Sequence, residues 1–384
     1  MNGKMRLGVL FGGRSGEHDV SLMSARSVLS VLNPEKYEVT PIGITRQGQW
    51  LAGTNSAGDD PLEALQSGQT AGMTRVALLP EAGQKTLYAI RETAGRQQLE
   101  AMAELDVIFP VLHGTFGEDG TLQGLLEMSD LAYVGAGVLG SAVGMDKALF
   151  KEVMRASNLP VVESITVLRS QVEREPQAII AQAEALADYP LFTKPANLGS
   201  SVGITKCRNR SDLYEGLREA AAYDRRVLVE RGIAGAREIE VSVLGNSQPQ
   251  ASVVGEIRPS GDFYTYSAKY LDDRSELIIP AALPESLNEQ IRQTAVRAYL
   301  AIDCAGMARV DFLLDPRAQQ IYISEVNTIP GFTRISMYPK LWEASGLPYR
   351  ALVDRLIDLA FERKNERDQT ERTFRPGTST GGRS

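Results

Sequence analysis

The chain is predicted to have an α/β fold, α+β when all of its parts are taken together, and three observations predict it. In the first third, short apolar runs alternate with segments of helical periodicity, which is typical of βαβ units and a parallel sheet. Later, strand-like runs follow one another with fewer helices between them, which indicates antiparallel pairing. The length of 384 residues allows two or three domains with large buried cores.

The elements follow in three units. The first unit has buried strands at residues 7–11, 39–44, 107–112 and 133–134. Residues 53–98 are polar and glycine-rich, and we interpret them as an irregular insertion. The second unit has mixed strands at 160–167, 191–193, 202–205 and 227–230, and the third has strands at 239–244, 252–257, 277–279, 308–314 and 321–324. Charged and small residues after Arg363 predict a disordered tail.

Composition and charge argue against several classes of protein. A net charge of −7 and a pI near 5.2 argue against a nucleic acid or an anionic membrane as a partner. No apolar run approaches the roughly 20 residues of a membrane span, and the N-terminus lacks the apolar core of a signal peptide. The two cysteines, Cys207 and Cys304, have no metal-binding spacing. The sequence therefore predicts a cytoplasmic protein without nucleic-acid or membrane partners.

Three oxygen-bearing side chains follow two neighbouring strand-like runs near the C-terminal end. Asp311 follows one run, and Glu325 and Asn327 follow the next. Adjacent strands would bring the three side chains to one end of a sheet. Two carboxylates and an amide oxygen are the ligands that Mg²⁺ takes when it also holds nucleotide phosphates. The alternative is an acidic hairpin with solvated charges.

Two glycine-containing loops follow buried strands of the first unit, where α/β sheets bind ligands. In the first, Glu17 opens a helix and would hold a cationic group; the alternative is that Glu17 and Asp19 only complement the helix dipole. In the second, glycines around His113 allow a backbone to approach a ligand closely. The alternative is a His113 that only forms hydrogen bonds.

A strand, a Gly/Ser loop and a second strand between residues 192 and 204 have the pattern of a phosphate cradle, with Lys194 as a point charge. The alternative for this segment is a plain hairpin. Lys147, upstream, is a second candidate cation, and its alternative is an ordinary surface lysine. The strand end at Glu230 is suited to an adenine edge, and Glu238 to ribose hydroxyls; the alternative is an ordinary strand end followed by a charged turn. Residues 261–273, with three tyrosines, have the length of an active-site lid, and the alternative is a solvent-exposed loop.

Together these motifs resemble the D-alanine–D-alanine ligases of the ATP-grasp superfamily, from about residue 7 to about residue 363 and without the insertion. No single motif is specific, but their combination is. The motifs are GGRSGEHDVSL from Gly12, HGTFGEDG from His113, MDK ending at Lys147, KPANLGSSVG from Lys194, YSAKY ending at Tyr270, EVNTIPGFT from Glu325 and SMYPKL from Ser336.

The resemblance implies an ATP-grasp fold of three domains with ATP held between the central and C-terminal ones. The expected divisions are an N-terminal α/β domain at 1–137, a central subdomain at 138–233, a C-terminal subdomain with the metal and substrate site at 234–364, and a tail at 365–384. It also implies a homodimer in the cytoplasm. The implied activity is the ATP-dependent joining of two D-alanine molecules through a D-alanyl phosphate, with release of ADP and phosphate, for peptidoglycan precursors.

The resemblance also implies roles for individual residues. The implied ATP contacts are Lys147, Lys194, Ser200, Ser201, Val202, Glu230, Arg231, Ile233, Glu238 and Lys269. The implied substrate contacts are Glu17, His113, Tyr270, Arg309, Gly331, Ser336 and Met337, and the implied catalytic residues are Glu17, Ser200, Tyr270 and Arg309. Asp311, Glu325 and Asn327 would hold two Mg²⁺ ions, or Mn²⁺ in their place, with Glu325 bridging.

Within this scheme Arg309 and the Gly331 N–H would form an oxyanion site. The base that deprotonates the attacking amine is left open among Tyr270, Ser200 and the departing phosphate. Relatives that make D-alanyl-D-lactate generally lack a tyrosine at the position of Tyr270, so this residue favours dipeptide synthesis; the alternative is that it only packs the lid.

Three other readings are weighed against this one. GAGVLG at residues 135–140 matches the dinucleotide-binding pattern, but no Asp or Glu ends the following strand-like run at Arg169. Another ATP-grasp ligase that joins a carboxylate to an amine should lack the first and last motifs together. A nucleotide-binding regulator with a dead site should lack the intact lysines and metal ligands.

Overall fold

Three sheets make up the computed structural model, which describes residues 3–53, 60–199, 202–258, 276–333 and 335–372. The strands of the first sheet are β1 Met5–Gly12, β2 Tyr37–Ile44, β3 Trp50–Ala52, β4 Thr74–Leu78, β5 Thr86–Thr93, β6 Arg96–Glu104, β7 Val107–Val111 and β8 Ala132–Tyr133. Their order is β6-β5-β4-β3-β2-β1-β7-β8. Strands β2, β1, β7 and β8 pair in parallel, which confirms the predicted parallel sheet. Strands β3, β4, β5 and β6 extend the sheet beyond β2 through antiparallel pairs.

Five helices accompany the first sheet or lead away from it. They are α1 His18–Val31, α2 Pro61–Ser67, α3 Thr121–Met128, α4 Val138–Met145 and α5 Lys147–Ala156. The prediction that residues 53–98 are irregular was wrong, because the described part of this segment contains α2, β4, β5 and the start of β6. The β5–β6 hairpin escaped notice because its outer strand is almost wholly exposed and therefore carries mostly polar side chains.

The second sheet has four antiparallel strands. They are β9 Ser164–Leu168, β10 Leu191–Pro195, β11 Thr205–Cys207 and β12 Arg226–Arg231, in the order β11-β10-β12-β9. Helices α6 Arg169–Arg174, α7 Pro176–Leu186 and α8 Arg210–Tyr223 contribute to its core. The strand predicted at 202–205 begins only at Thr205, since Gly203 has a φ of 71° and lies in a turn.

The third sheet has five antiparallel strands. They are β13 Arg237–Leu244, β14 Gln250–Arg258, β15 Glu276–Ile278, β16 Met307–Asp315 and β17 Gln320–Asn327, in the order β15-β14-β13-β16-β17. Helices α9 Glu285–Ala301, α10 Met337–Ala344 and α11 Tyr349–Arg367 follow in chain order. Helix α11 ends at Arg367, inside the segment predicted as a tail from residue 365. No helix in the described ranges has the length and apolar character needed to cross a membrane.

Two helices share their cores with distant parts of the chain. Leu352 and Leu356 of α11 are buried in the same cluster as Leu7 and Val9 of β1, so the last helix packs on the first sheet. Phe150 of α5 is buried in the core of the third sheet. The first and third sheets are therefore held together by elements that come from far apart in the sequence.

An ionic cluster fastens α11 to the end of α3. The basic members, on α11, are Arg363, Lys364 and Arg367. The acidic members, at the end of α3 and just after it, are Glu127 and Asp130. Glu127 also accepts a hydrogen bond of 2.6 Å from the Tyr133 hydroxyl, over whose ring the Arg363 guanidinium lies at 4.0 Å. One carboxylate thus serves three donors at this junction.

Replacing Glu127 with alanine should therefore destabilise the folded chain by about 2 kcal/mol, because it leaves partly buried donors without an acceptor. Glu362→Ala is the matched control: Glu362 is on α11, the other helix of this junction, and pairs with Arg355 at 2.6 Å on the surface. The control should change stability by less than about 0.5 kcal/mol. Denaturant unfolding of both variants measures the difference, and equal losses would contradict this account of the junction.

Candidate active site

The floor of the candidate site is formed by β16 and β17. Asp311 pairs with Glu325, and Arg309 pairs with Asn327, so all four lie on one face of the sheet. Burial alternates along β16, with Val310 and its alternate neighbours in the core and the charged residues on the open face. The predicted meeting of Asp311, Glu325 and Asn327 on adjacent strands is confirmed.

Contacts among these side chains are short. Asn327 Nδ2 lies 3.0 Å from Asp311 Oδ2 and 3.5 Å from Glu325 Oε1. Arg309 donates from Nε and Nη2 to the two oxygens of Asp311, at 2.7 and 2.6 Å. On the neighbouring strand Glu240 faces Asp311, and its Oε2 lies 3.0 Å from Arg309 Nε. One guanidinium therefore neutralises two carboxylates at the centre of the floor.

The chemistry of this donor set fits a hard divalent cation. Within the described residues no group of three or more His, Cys, Asp or Glu side chains could hold a metal ion. A cation here would rely on two carboxylates, the Asn327 amide oxygen and oxygens from a bound phosphate. That is the set expected of Mg²⁺, which is seldom caged by protein ligands alone.

A cavity of about 290 Å³ opens between the second and third sheets. Part of its wall is apolar, from side chains such as Phe192, Ile204, Ile233 and Leu313. The predicted ATP contacts that line it are Lys147, Lys194, Glu230, Arg231, Ile233 and Glu238. An apolar slot with cations at one end is suited to a nucleotide, whose base is flat and apolar and whose phosphates are anionic.

Two lysines on different elements line this cavity. Lys147 is the first residue of α5, whose N-terminus is capped by Asp146, the acceptor for the Leu149 N–H at 2.9 Å. Its Nζ donates to the Leu198 carbonyl at 2.6 Å and lies 4.0 Å from Glu325 Oε2. Lys194 extends from β10 and donates to Glu230 Oε1 at 2.8 Å.

Glu230 is buried, and its charge is held by two lysines. Its Oε1 accepts from Lys194, and its Oε2 lies 2.7 Å from Lys151 Nζ. Burial opposes ionisation, but the charges and hydrogen bonds of both lysines outweigh it and lower the pKa of Glu230 to about 2. The Glu230 side chain is thus engaged by protein cations. Arg231 is engaged as well, since its guanidinium donates to the Glu163 carboxylate at 2.8 Å and its N–H donates to the Glu163 carbonyl at 3.0 Å.

A second, smaller and more polar cavity adjoins the first. Glu17, His113, Glu118, Arg309 and Gly331 are among its lining residues. Lys147, Gly199 and Glu325 line both cavities, so the two meet at these residues. Glu17 is buried beside two glycines: a Cβ at Gly114 or at Gly199 would lie 2.5 Å from Glu17 Oε2. A Cβ at either glycine would therefore force the Glu17 carboxylate to move from this position.

Three side chains of the first unit hold the loop that carries Gly331. His113 Nδ1 lies 2.9 Å from the Ile329 carbonyl, and Glu118 Oε2 accepts from the Ile329 N–H at 3.2 Å. Ser24 Oγ accepts from the Phe332 N–H at 3.2 Å and lies 3.0 Å from His113 Nε2. Both ring nitrogens of His113 therefore have protein partners, which favours the hydrogen-bonding role over the predicted substrate contact.

Glu118 is a buried carboxyl whose pKa burial and the nearby Glu17 raise to about 8. Between about pH 4.5 and about pH 8 the folded chain retains a proton here that the unfolded chain has lost, so rising pH weakens folding. In Glu118→Gln this penalty is absent. We expect the difference in Tm, variant minus unchanged protein, to increase as the pH is raised from about 4.5 to about 8 and to stay constant at higher pH.

Thermal unfolding of both proteins over a pH series measures this difference. Burial lowers the pKa of His113, so its contribution has the opposite sign, but it is present in both proteins and cancels. A Tm difference that stays constant with pH would show that Glu118 is not the group responsible.

Several predicted contacts are placed differently or lie outside the described residues. The Met337 side chain is buried in an apolar cluster with Ile257 and Leu341, which excludes it from the cavity and leaves only its backbone N–H. Ser336 Oγ accepts from the Thr333 N–H at 3.0 Å and would lie 2.8 Å from a Cβ at Gly331, so it is next to the predicted oxyanion donor. Val202 lies at the turn after Gly199. The predicted residues Ser200, Ser201, Lys269 and Tyr270 lie outside the described residues.

Sequence reasoning missed three charged residues of the site. They are Lys151, Glu118 and Glu240, which lie respectively beside Glu230, the Ile329 N–H and Arg309. Two of them carried a usable signal: Lys151 is one helical turn after Lys147, and Glu240 is two residues after Glu238 on the same strand face. Glu118 lies in the HGTFGEDG motif, but the sequence gives no sign of its partner, which is 211 residues away.

Comparison with known proteins assigns this arrangement to one family. Residues 6–136 match the family model described as D-ala D-ala ligase N-terminus, and residues 153–358 match the model described as D-ala D-ala ligase C-terminus. A relative from Natranaerobius thermophilus, named D-alanine--D-alanine ligase, is 47% identical over 97% of this chain and 99% of its own.

Solved structures agree with these matches. The D-alanine-D-alanine ligase from Coxiella burnetii has a TM-score of 0.79 and 37% identity, over 95% of this chain and 96% of its own. The VanG D-Ala:D-Ser ligase from Enterococcus faecalis has a TM-score of 0.81 and 35% identity, over 93% of this chain and 100% of its own. The predicted ATP-grasp fold is thereby confirmed. The chain belongs to the D-alanine–D-alanine ligase family.

Proposed function

We propose that this chain joins two D-alanine molecules to D-alanyl-D-alanine, converting ATP to ADP and phosphate by way of a D-alanyl phosphate. Besides membership of the family, one observation supports the proposal. The nucleotide-sized cavity and the small polar cavity meet at Lys147, Gly199 and Glu325. A γ-phosphate at the end of the first cavity would there meet a carboxylate held in the second. The product supplies the dipeptide end of a peptidoglycan precursor.

The first step is phosphoryl transfer. A carboxylate oxygen of the first D-alanine attacks the γ-phosphorus of ATP, and ADP leaves. This step needs positioning and charge neutralisation rather than a protein nucleophile. We assign the ammonium of the first D-alanine to Glu17 and the ATP phosphates to Lys147 and Lys194. Two Mg²⁺ ions held by Asp311, Glu325 and Asn327 would neutralise phosphate charge when bound.

The second step is acyl transfer. The amine of the second D-alanine attacks the acyl carbon, negative charge develops on the carbonyl oxygen, and phosphate leaves. We assign this oxyanion to Arg309 and the Gly331 N–H, and the second carboxylate to Ser336 and the Met337 N–H. The clamp of His113 and Glu118 on Ile329 would keep the Gly331 donor in place, since catalytic donors must be fixed before charge develops.

We infer a homodimer that acts in the cytoplasm and uses two Mg²⁺ ions, with Mn²⁺ as a substitute. The domain divisions at residues 137, 233 and 364 are proposed with them.

Phosphate release from Mg-ATP with D-alanine alone tests the proposal. Parallel reactions contain L-alanine, D-alanine with D-lactate, and D-alanine with D-serine, the last because a similar solved structure is named a D-Ala:D-Ser ligase. We expect release with D-alanine, none with L-alanine and D-alanyl-D-alanine as the main product. Release that does not depend on D-alanine would indicate another carboxylate–amine ligase, and the assignments of Glu17 and Ser336 would be withdrawn first.

A further inference from the structure

Lys151 is a buried cation in the wall of the nucleotide cavity to which the mechanism above gives no role. Its side chain is 3% exposed, and its Nζ lies 2.7 Å from Glu230 Oε2 and 3.2 Å from the Val162 carbonyl. Burying a lysine so completely is costly, and burial indeed lowers the pKa of Lys151 below its ordinary value. A buried charge at this place calls for an explanation.

The two lysines beside Glu230 contact different carboxylate oxygens and differ in how far they are buried. Lys151 holds Oε2 from within the protein, whereas Lys194 holds Oε1 at the cavity and has 14% of its side chain exposed. Lys194 is also the residue assigned to the ATP phosphates. Its ammonium has three N–H donors and can contact Glu230 and a phosphate together, but its single charge is then shared between two anions.

The charge balance of the trio shows what Lys151 contributes. Two lysines and one glutamate leave one positive charge in excess, which is available to an anionic ligand. Without Lys151, Glu230 and Lys194 would neutralise each other, and any shift of Lys194 toward a phosphate would weaken the one counter-charge of a buried carboxylate. Removing the partner of a buried charge is strongly unfavourable.

We propose that Lys151 is a positioning residue, a fixed counter-charge for Glu230 that releases Lys194 to bind the nucleotide phosphates. The proposal rests on the proposed function, because it takes the ligand of this cavity to be a nucleoside triphosphate. Lys151 itself does not touch the phosphates: two protein oxygens hold its Nζ, and its place is one helical turn beyond Lys147, deeper in the wall.

The test measures nucleotide binding by calorimetry on the full chain. The probes are AMP-PNP with Mg²⁺, which carries phosphates, and adenosine, which carries none. Lys151→Met should weaken AMP-PNP binding by roughly ten- to a hundred-fold, the effect of one charge-assisted contact, and leave adenosine binding unchanged. Lys151→Gln, which retains donors for the Val162 carbonyl, should lose phosphate binding similarly, and Lys151→Arg should retain most of it.

A double variant gives the sharpest outcome. If Lys151 acts by neutralising Glu230, then Lys151→Met with Glu230→Gln should bind AMP-PNP more tightly than Lys151→Met alone, because Lys194 is no longer held by an anion. Lys364→Met, which removes a paired lysine far from the cavity, should leave AMP-PNP binding unchanged. A double variant no better than the single one, or an equal loss of adenosine binding, would overturn the proposal.

Lys194→Met distinguishes a failure of this proposal from a failure of the assignment of Lys194 to the ATP phosphates. Loss of AMP-PNP binding in Lys194→Met, with normal binding in Lys151→Met and Lys151→Gln, would overturn the role of Lys151 alone. Normal binding in Lys194→Met would overturn both, since Lys194 would then not be a phosphate ligand.

Discussion

Arg309→Met should slow dipeptide synthesis on the order of 10²–10³-fold, the loss seen when one donor of an oxyanion site is removed. The side chain is central to the floor: it holds both oxygens of Asp311 and lies 3.0 Å from Glu240. It also lines the small cavity together with Gly331. Its removal therefore takes away the positive charge on which the acyl step is expected to depend.

A single-turnover experiment distinguishes the two chemical steps. If Arg309 serves the acyl step, Arg309→Met should form ADP in a D-alanine-dependent way faster than it forms dipeptide. Arg309→Lys is the matched variant, since it keeps a charge but loses the planar fork that binds Asp311. Near-normal dipeptide turnover in Arg309→Met would contradict the assignment.

Glu325→Gln should lower turnover by ~10³-fold or more, because charge stabilisation by a bound cation contributes several kcal/mol. Glu325 lines both cavities, and its oxygens lie near Asn327 and Lys147. It is thus the carboxylate at the place where phosphate and substrate would meet. Without its charge, Asp311 would be the one carboxylate of this ligand set, beside neutral amide oxygens and the phosphate.

Metal binding should be measured directly as well as through activity. Titration of Mn²⁺ with ADP present, followed by electron paramagnetic resonance, should show weaker binding to Glu325→Gln than to the unchanged protein. Glu276→Gln is the control with the same chemical change, on the exposed edge strand of the same sheet. Equal Mn²⁺ affinity in Glu325→Gln and Glu276→Gln would remove Glu325 from the ligand set.

The parts of the site predicted from the sequence are those whose signal is local. Asp311 and Glu325 follow apolar runs on neighbouring strands, and strand alternation is enough to place them on one face. The parallel sheet was predictable for the same reason, since its strands are nearly continuous apolar runs.

The parts that were missed depend on partners distant in sequence. Glu118 and Ile329 meet only in the folded chain, as do the helix α11 and the first sheet. The β5–β6 hairpin has polar residues on its exposed outer strand, so its pattern is that of a loop. Met337 belongs to the SMYPKL motif, which suggests substrate contact, but its side chain packs in an apolar cluster with Leu341.

The fate of the carboxylate oxygens of D-alanine tests the central claim most directly. With D-alanine labelled with ¹⁸O in its carboxylate, the oxygen that attacks ATP becomes the bridging oxygen of the acyl phosphate and leaves with phosphate when the second amine attacks. We expect the released phosphate, examined by mass spectrometry, to carry one ¹⁸O atom for each dipeptide formed. Phosphate without the label would contradict a D-alanyl phosphate and the two-step mechanism assigned to this site.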